Sequence, residues 1–189
     1  MGFRDIHVFN LAMLAKQAWL LIHETHSLFY RVHKAQYFPS CSFLEADLET
    51  NPSFVWRSLL QARDVIQEGS VCQVGDGRMI GVNIHKWLPW PPGFKEGANR
   101  SLKVADLIDS NSKQWNRTLV HSMFTSSTRK DILRIKLGNL SSRDRLVWNK
   151  NKVKVFLVRT AYQVALRLHH PPIGEHSSAN LDQRMWKRT

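Results

Sequence analysis

Residues 5–23 read DIHVFNLAMLAKQAWLLIH and set the helical character of the first half of the chain. From Phe9 to His23, apolar side chains recur at three- and four-residue steps, which is the period of an α-helix with one buried face. Asp5 or Asn10 can accept hydrogen bonds from the free N–H groups at its start. The spacing therefore predicts a long amphipathic helix as the first element.

Two more helices are predicted downstream of this one. A short helix over about Ser27–Ala35 has to end before Pro39, which has no N–H group to donate. A longer one begins with Asn51 as its cap and Pro52 at its first position, and Gly69 is placed to end it. The first 70 residues are therefore predicted to be mainly helical.

A glycine-rich turn follows the third helix. The β-type runs Val71–Val74 and Met79–Ile84 flank the sequence GDG at 75–77, whose glycines allow the positive φ angles of a tight turn. This pattern predicts a β-hairpin. The sequence WLPWPPG at 87–93 then predicts a domain boundary, because prolines and glycine interrupt regular structure there.

Shorter elements are predicted in the second half, with Ser127 or Thr128 as the cap of one helix. They are a helical turn at Val104–Ile108, a helix over Trp115–Phe124, a helix that runs from the Ser127 or Thr128 cap to about Ile135, strands Arg145–Trp148 and Val153–Val158, and a closing helix Arg159–Leu168. The predicted class is mainly α with one or two small β-hairpins (α+β), as a fragment of a larger protein. The predicted divisions are a neutral segment 1–93, a basic segment 94–168 and a disordered tail 169–189.

Charge is unevenly distributed along the 189 residues. The 27 Lys and Arg residues outnumber the 15 Asp and Glu residues, so the formal net charge is +12. Residues 1–94 contain eight cationic and eight anionic side chains, whereas residues 95–189 contain 19 and seven. The whole excess lies in the second half, which indicates a surface that faces a polyanion.

The densest basic stretch runs from residue 143 to residue 159, where Asp144 is the single acidic residue. Cations at loose spacing are sufficient for contacts with phosphates, although a solvated basic face has the same composition. We predict non-specific contacts with RNA or DNA rather than recognition of a base sequence. The candidate binding residues are Arg143, Arg145, Lys150, Lys152, Lys154 and Arg159.

Composition also excludes several classes of protein. The length is too short for a complete polymerase, and two cysteines, Cys41 and Cys72, provide neither a disulfide framework nor a Cys-rich zinc module. The most apolar run, residues 11–22, contains Lys16 and is shorter than the roughly 20 residues of a membrane span. No signal peptide, myristoylation site or mitochondrial presequence is recognised, so we expect a soluble protein without membrane contact, in a compartment that the sequence leaves open.

Patterns for catalysis and metal binding are missing from the sequence. A two-metal nuclease or polymerase needs clustered carboxylates, and the closest pair, Asp106 and Asp109, is expected to cap backbone or face solvent. The GDG at 75–77 is not followed by the Gly-Lys-Ser/Thr of a phosphate loop. We expect no enzyme activity, no metal, no other cofactor and no small-molecule substrate. Two groups of histidines were considered as metal ligands: His23 with His26, and His169 and His170 with His176. Neither is accompanied by the Cys pair of a structural zinc site.

Tryptophan offers a second kind of contact with nucleic acid, because bases stack on aromatic rings. Trp87 and Trp90 lie beside prolines and can stack on bases from a loop. Core packing is the alternative, and we favour it for all of these tryptophans, Trp87 and Trp90 included. Those at positions typical of a core are Trp19, Trp56, Trp115 and Trp148.

Eleven short motifs, in order, carry a resemblance to a known family. They are GFRDIH (2–7), FNLAMLAKQ (9–17), KAQYFP (34–39), FLEA (43–46), NPSFVWRSL (51–59), VGDG (74–77), WLP (87–89), VADLI (104–108), WN (115–116), DRLVW (144–148) and FLVRTAY (156–162). Together they resemble plant non-LTR retrotransposon reverse transcriptases, as found in retrotransposon-derived ribonuclease H proteins and in uncharacterised plant mitochondrial open reading frames. The resemblance covers about residues 2 to 168. Among its departures, Lys154 stands where the family often has Gly.

The resemblance implies a position between two functional parts of the parent protein. The polymerase domain, whose aspartate box binds Mg²⁺, would precede Gly2, and a Cys/His zinc-binding segment would begin near Trp186. A ribonuclease H domain would follow in some relatives. The resemblance therefore implies that no catalytic residue can be carried over to this chain.

Three hypotheses follow from the sequence. The first is a non-catalytic, truncated remnant of a retrotransposon reverse transcriptase with weak, salt-sensitive binding to RNA or DNA. The second is a non-functional relic that folds poorly without its missing neighbours. The third, which we disfavour, is an enzyme with RNA-directed DNA polymerase or ribonuclease H activity.

Overall fold

The computed structural model describes residues 5–48, 50–109 and 111–170. The predicted class, mainly α with small β elements, is confirmed. The helices are α1 (Ile6–His23), α2 (Leu28–Tyr37), α3 (Phe54–Gln61), α4 (Arg63–Gly69), α5 (Arg117–Met123), α6 (Ser126–Arg134) and α7 (Val158–His169). The strands are β1 (Ser70–Gln73), β2 (Ile108–Asp109), β3 (Gln114–Trp115) and β4 (Arg145–Trp148). Of the tail that we predicted to be disordered, residues 171–189 lie outside the described residues.

The chain forms two compact units. The first unit contains the described residues up to Ser70 and those from Trp148 onward, and the second unit contains Val71–Val147. The Pro-rich run 87–93, which suggested a boundary at residue 93, lies within the second unit. Trp87 and Leu88 are buried there in a core that also includes residues on its C-terminal side. Within the described residues, no helix has the length and apolarity of a membrane span.

The first unit is built around α1. The N–H of Val8 donates to the Asp5 carboxylate at 3.1 Å, so Asp5 rather than Asn10 caps this helix. Its buried face follows the predicted helical period and packs against α3, α4 and α7. The buried residues of α1 are Val8, Leu11, Ala12, Ala15, Ala18, Trp19 and Leu21.

The predicted helix over 51–69 is divided into α3 and α4. Ser53, not Asn51, caps α3, because its hydroxyl accepts the N–H of Trp56 at 3.2 Å. At the division, the N–H of Ala62 donates to the Leu59 carbonyl oxygen, three residues earlier, at 3.2 Å. This three-residue spacing is that of a 3₁₀ turn, which is wound more tightly than an α-helix. The helix α4 then ends at Gly69, as predicted.

Aromatic side chains fill the space between α2 and α3. The helix α2 begins after Ser27 and ends at Tyr37, two residues before Pro39. Tyr37 stacks on Trp56 with 4.6 Å between ring centroids, and Phe38 stacks on the same indole at 5.6 Å. Trp56 is completely buried, which confirms its predicted place in the core.

The second unit contains a core of eleven buried residues and a small hairpin. In the hairpin, β2 pairs with β3 antiparallel, with Ile108 opposite Trp115 and Asp109 opposite Gln114. A 3₁₀ turn at Val104–Leu107 precedes it, as predicted. The buried core comprises Ile80, Val82, Trp87, Leu88, Val104, Leu107, Ile108, Val120, Met123, Phe124 and Ile132.

The prediction of a hairpin over residues 71–84 is wrong. The strand β1 does form there, but its partner is β4, and residues 79–84 do not form a strand. The reason lies in the GDG sequence, whose backbone N–H groups are bound to the side chain of Asp144. Gly81 forms one isolated bridge, with Lys103.

The strand predicted at Val153–Val158 is also wrong, whereas the strand at Arg145–Trp148 is confirmed as β4. Residues 151–155 form a turn that the Asn151 side chain closes. Its amide nitrogen donates to the Val155 carbonyl oxygen at 2.6 Å, and its oxygen accepts the Val155 N–H at 3.3 Å. The amide thereby occupies backbone groups that a strand would need, and α7 starts at Val158.

The helix starts in the second unit differ slightly from those predicted. Asn116 caps α5, so Trp115 belongs to β3 instead of the helix. The helix α6 begins at Ser126, before both predicted caps. Thr128 is buried, and its hydroxyl oxygen accepts the N–H of Gly93 at 2.9 Å.

Candidate nucleic-acid interface

The six predicted binding residues are distributed over both units. Arg143 and Arg145 belong to the second unit, and the other four belong to the first. Five are exposed, and Lys150 is half-buried. The exposed five, which we call the free cations, are Arg143, Arg145, Lys152, Lys154 and Arg159.

Asp144 lies between two of the free cations but is directed elsewhere. One carboxylate oxygen accepts the N–H groups of Gly75 and Gly77 at 2.7 and 2.9 Å, and the other accepts the N–H of Met79 at 2.9 Å. Within the described residues, neither Arg143 nor Arg145 forms an ion pair. The acidic residue of the basic stretch therefore anchors the GDG loop while its neighbours remain exposed.

Glycine is required at both ends of this loop. A Cβ on Gly75 would overlap the backbone of Ser142 and Arg143. Gly77 has a φ of +73°, and a Cβ there would lie 2.5 Å from the backbone nitrogen of Ala105. The loop thus binds a carboxylate of the same chain.

Lys150 differs from the other five predicted residues. Its ammonium donates to the Glu68 carboxylate at 3.0 Å, and the two side chains are 26% and 27% exposed. This pair is local to the first unit, beside Asn149, whose N–H donates to the Gly69 carbonyl oxygen at 2.8 Å. The positive charge of Lys150 is therefore largely compensated within the protein.

Lys154 and Arg159 occupy unlike backbone environments. Lys154 has a φ of +56°, in the left-handed region that favours glycine. This explains why Gly is common at that position in the family that the sequence resembles. Arg159 lies in the first turn of α7 and is exposed.

The carboxylates considered as metal ligands bind backbone instead. Asp106 accepts the N–H of Lys103 at 2.9 Å. Asp109 accepts the Ser112 hydroxyl at 2.6 Å and the Asn111 N–H at 3.0 Å, and these bonds lower its pKa. Both therefore cap local structure, as expected. In residues 5–48, 50–109 and 111–170, no group of three or more His, Cys, Asp or Glu side chains is placed to hold a metal ion.

The contacts of the histidine groups are local for His23, whereas His169 and His170 contact residues near the start of the chain. The ring of His23 stacks on Trp19 at 4.2 Å, and its Nδ1 lies 3.0 Å from the Trp19 carbonyl oxygen. His169 meets the ring of His7 edge-on at 5.2 Å, while His170 lies 3.3 Å from the Asp5 carboxylate. His176 lies outside the described residues.

Neither cysteine forms a disulfide. Burial, and secondarily the negative charge of Asp144, raises the pKa of the Cys72 thiol to about 11. A thiol with that pKa is protonated at neutral pH and is a poor nucleophile.

The tryptophans divide into buried and accessible groups. Trp19, Trp56 and Trp148 are in the core of the first unit, and Trp87 is 3% exposed in the core of the second. Burial removes Trp87 as a stacking candidate, whereas Trp90 is 66% exposed, so the prediction of core packing is wrong for Trp90. Trp115 is half-buried, so the prediction of a core position holds for it only in part.

Sequence reasoning missed two cations in the second unit. Lys113 and Arg117 are both exposed, and together with Trp115 they line a small cavity in the second unit. They were missed because they lie outside the dense basic stretch and on either side of an element boundary. No local pattern indicated them, because Lys113 has a left-handed φ, Trp115 lies in β3 and Arg117 lies in α5.

The fold and the site together define a class: a basic, mainly α protein with exposed cations and carboxylates that bind its own backbone. No family model and no solved structure matches the chain. Two proteins of Arabidopsis thaliana are similar to it. One, named "Uncharacterized mitochondrial protein", is 38% identical over 96 residues, which are 49% of this chain and 62% of that protein.

The second similar protein is named "Putative ribonuclease H protein" and is 25% identical over 173 residues. The match takes in 87% of this chain and 28% of that protein. The chain therefore spans less than two thirds of the length of each relative. Both similarities are consistent with retrotransposon-derived plant proteins, as the sequence motifs indicated.

Proposed function

We propose that this chain is a non-catalytic remnant of a plant non-LTR retrotransposon reverse transcriptase. It corresponds to the region between the polymerase domain and the C-terminal zinc-binding segment, and it binds RNA or DNA weakly and without sequence preference. The motifs of the sequence and the two Arabidopsis relatives support the origin. The five free cations support the binding.

The observation that carries the binding proposal is the engagement of Asp144. A carboxylate between Arg143 and Arg145 would ordinarily reduce their attraction for phosphate. Here it accepts the backbone N–H groups of Gly75 and Gly77 in the GDG loop and of Met79 beyond it, with distances of 2.7 to 2.9 Å. Both arginines consequently remain available to a polyanion, as do the three free cations of the first unit.

The non-catalytic part of the proposal is supported by the carboxylates. Phosphoryl-transfer enzymes of the two-metal type hold their cations roughly 3.5–4 Å apart with convergent carboxylates. Asp106 and Asp109 are each bound to backbone N–H groups near their own positions, and Asp144 is bound to the N–H of Gly75, 69 positions away. Their oxygens stabilise turns and a loop, a structural use of the carboxylate.

The test is equilibrium binding of the purified chain to labelled single-stranded RNA, an RNA–DNA hybrid and duplex DNA. Anisotropy is recorded at roughly 50 and 200 mM salt, where phosphate contacts lose affinity steeply. Replacing the five free cations by Gln is expected to weaken binding to all three ligands and to lower the salt slope by about one per lost contact. The chain should neither extend a primed template nor cleave the hybrid in Mg²⁺ or Mn²⁺.

A control with the same change in charge separates a site from a general effect of net charge. It replaces five other exposed cations, two in the second unit and three in the first, and it should retain most of the affinity. If both variants lose affinity equally, the assignment to residues 143–159 is wrong. The control residues are Arg78, Lys130, Arg31, Arg57 and Arg167.

A further inference from the structure

A cavity of about 190 Å³ lies in the second unit, beside the hairpin β2–β3. It combines one aromatic ring, two aliphatic side chains, two cations and one amide. Pockets that enclose drug-sized ligands are larger, roughly 300–1,000 Å³. The volume therefore suits a single flat ring. The lining residues are Lys113, Gln114, Trp115, Arg117, Leu133 and Leu137.

The apolar part of the cavity is held in place by backbone contacts. The indole Nε1 of Trp115 donates to the Ile135 carbonyl oxygen at 2.8 Å, between the two lining leucines in sequence. The next residue, Asn116, donates its N–H to the Leu107 carbonyl oxygen at 2.8 Å. Trp115 is thereby fixed at one edge and remains half-buried, a geometry that suits stacking or edge contact with a planar ligand.

Lys113 is held at the rim in an unfavourable backbone conformation. Its φ is +55°, which is uncommon for a residue with a side chain. The turn that imposes this angle is braced twice: the Lys113 N–H bonds to the Asp109 carbonyl oxygen at 2.8 Å, and the Asp109 carboxylate binds Asn111 and Ser112. Strain that a braced turn maintains at a cavity is a common feature of binding sites.

The charge of the rim is positive. Lys113 and Arg117 are exposed, and the lining contains no carboxylate. Among the described residues, neither cation has an ion-pair partner. A ligand that satisfies both parts of the cavity has a planar ring for Trp115 and the leucines, and an anionic group for the two cations.

We propose that this cavity binds one nucleotide of a single-stranded nucleic acid, with the base against Trp115 and its phosphate between Lys113 and Arg117. A pyrimidine suits the volume better than a purine. The inference rests on the proposed function for its class of ligand, but it uses none of the five free cations. Binding here requires a base, whereas binding to the free cations requires only phosphates.

The test uses uridine 5′-monophosphate as the probe, with uridine, ribose 5-phosphate and inorganic phosphate as comparison ligands. The indole N–H signals of the ¹⁵N-labelled full chain are followed by NMR, and Trp115→Phe identifies the signal of Trp115. Millimolar binding of the monophosphate that shifts this signal is expected. Uridine and ribose 5-phosphate should each bind about tenfold more weakly or not at all.

Two variants examine the cations. Lys113→Gly with Arg117→Gln removes both charges while glycine accepts the positive φ, and it should weaken binding of the monophosphate at least tenfold. Arg78→Gln with Lys130→Gln, the same charge change elsewhere in the second unit, should leave it unchanged. Equal affinities for uridine monophosphate and inorganic phosphate, or an unshifted Trp115 signal, would overturn the proposal.

The test of the cavity can be distinguished from the test of the proposed function. If the free cations are not a binding site but the cavity is, replacing the five by Gln leaves binding of the monophosphate intact and oligonucleotide affinity unchanged. If the reverse holds, oligonucleotide affinity falls with the five cations, and the Trp115 signal never responds to the mononucleotide.

Discussion

The first unit surrounds Trp148 with side chains, whereas the second unit surrounds Asp144 with backbone. Trp148 is completely buried, with the ring of Phe156 at 4.5 Å and that of Trp19 at 5.8 Å. A Cβ on Gly69 would overlap its ring. Asp144, in contrast, is half-buried and binds three N–H groups of a loop without regular structure.

The difference shows two ways of ordering a short polypeptide. Burial of apolar area is non-directional and tolerates changes in the path of the chain between helices. Hydrogen bonds to a carboxylate are directional and fix the path of the loop itself. The first unit can therefore be described by helix faces, and the second has to be described by individual contacts.

The largest expected effect comes from Trp148→Ala in the first unit. Removing a completely buried indole leaves a cavity and should lower the free energy of unfolding by about 3–5 kcal/mol. Trp90→Ala, at a position where the ring is 66% exposed, should change it by less than about 0.5 kcal/mol. Urea unfolding followed by circular dichroism measures both, and equal effects would contradict the assignment of Trp148 to a core.

A pair of glycines in the second unit isolates the steric part of the loop. Gly77 and Gly97 have φ angles of +73° and +72°, but a Cβ would meet Ala105 only at Gly77. Ala at position 97 should cost about 1–2 kcal/mol for the left-handed backbone alone. Ala at position 77 should cost about 2–4 kcal/mol, because crowding is added. Thermal unfolding of the two variants measures the difference between their losses of stability. Equal losses would show that the loop moves away from Ala105 and that crowding contributes nothing.

Asp144→Ala examines the directional contacts. Three N–H groups lose their acceptor, so we expect a loss of about 2–3 kcal/mol and faster hydrogen exchange at Gly75, Gly77 and Met79. Asp131→Ala is the control, since that carboxylate lies 3.9 Å from the exposed Arg134 and should contribute less than about 0.5 kcal/mol. Unchanged exchange at the three N–H groups would show that the carboxylate does not order the loop.

The smallest expected effect is a gain in stability in the first unit. Lys154→Gly relieves a φ of +56° and should stabilise the protein by about 1 kcal/mol. Lys152→Gly removes the same charge at a neighbouring exposed position without that strain, and it should be neutral or slightly destabilising. Melting temperatures of the two variants distinguish backbone strain from charge repulsion, which would make both changes stabilising.

Much of the first unit was predictable from local pattern. The period of apolar residues predicted α1 within a few residues, the predicted closing helix corresponds to α7, and Pro39 predicted the end of α2. The division at Ala62 was not predictable from that pattern, because the apolar period continues through it. The cap at Ser53 was also missed, since Asn51 and Pro52 offered an equally good local signal.

For the candidate site, the sequence identified the cationic residues but not which of them are exposed and which are paired. Composition identified the basic stretch, and the structure leaves five of its six cations exposed. That Lys150 is paired depends on Glu68, which is 82 positions away. The cavity beside Trp115 joins a hairpin to the end of α6, and its lining is scattered over residues 113 to 137.

By itself, the sequence determined the helices, the excess of positive charge and the motifs of origin, because these depend on residues near one another in the chain. The tertiary structure decided the fate of the GDG turn. As a local pattern it predicts a hairpin, yet Asp144, 67 to 69 positions away, binds the N–H groups of its two glycines, and β1 pairs with β4. A charged acceptor for three donors outweighs a turn propensity, and only the folded chain brings them together.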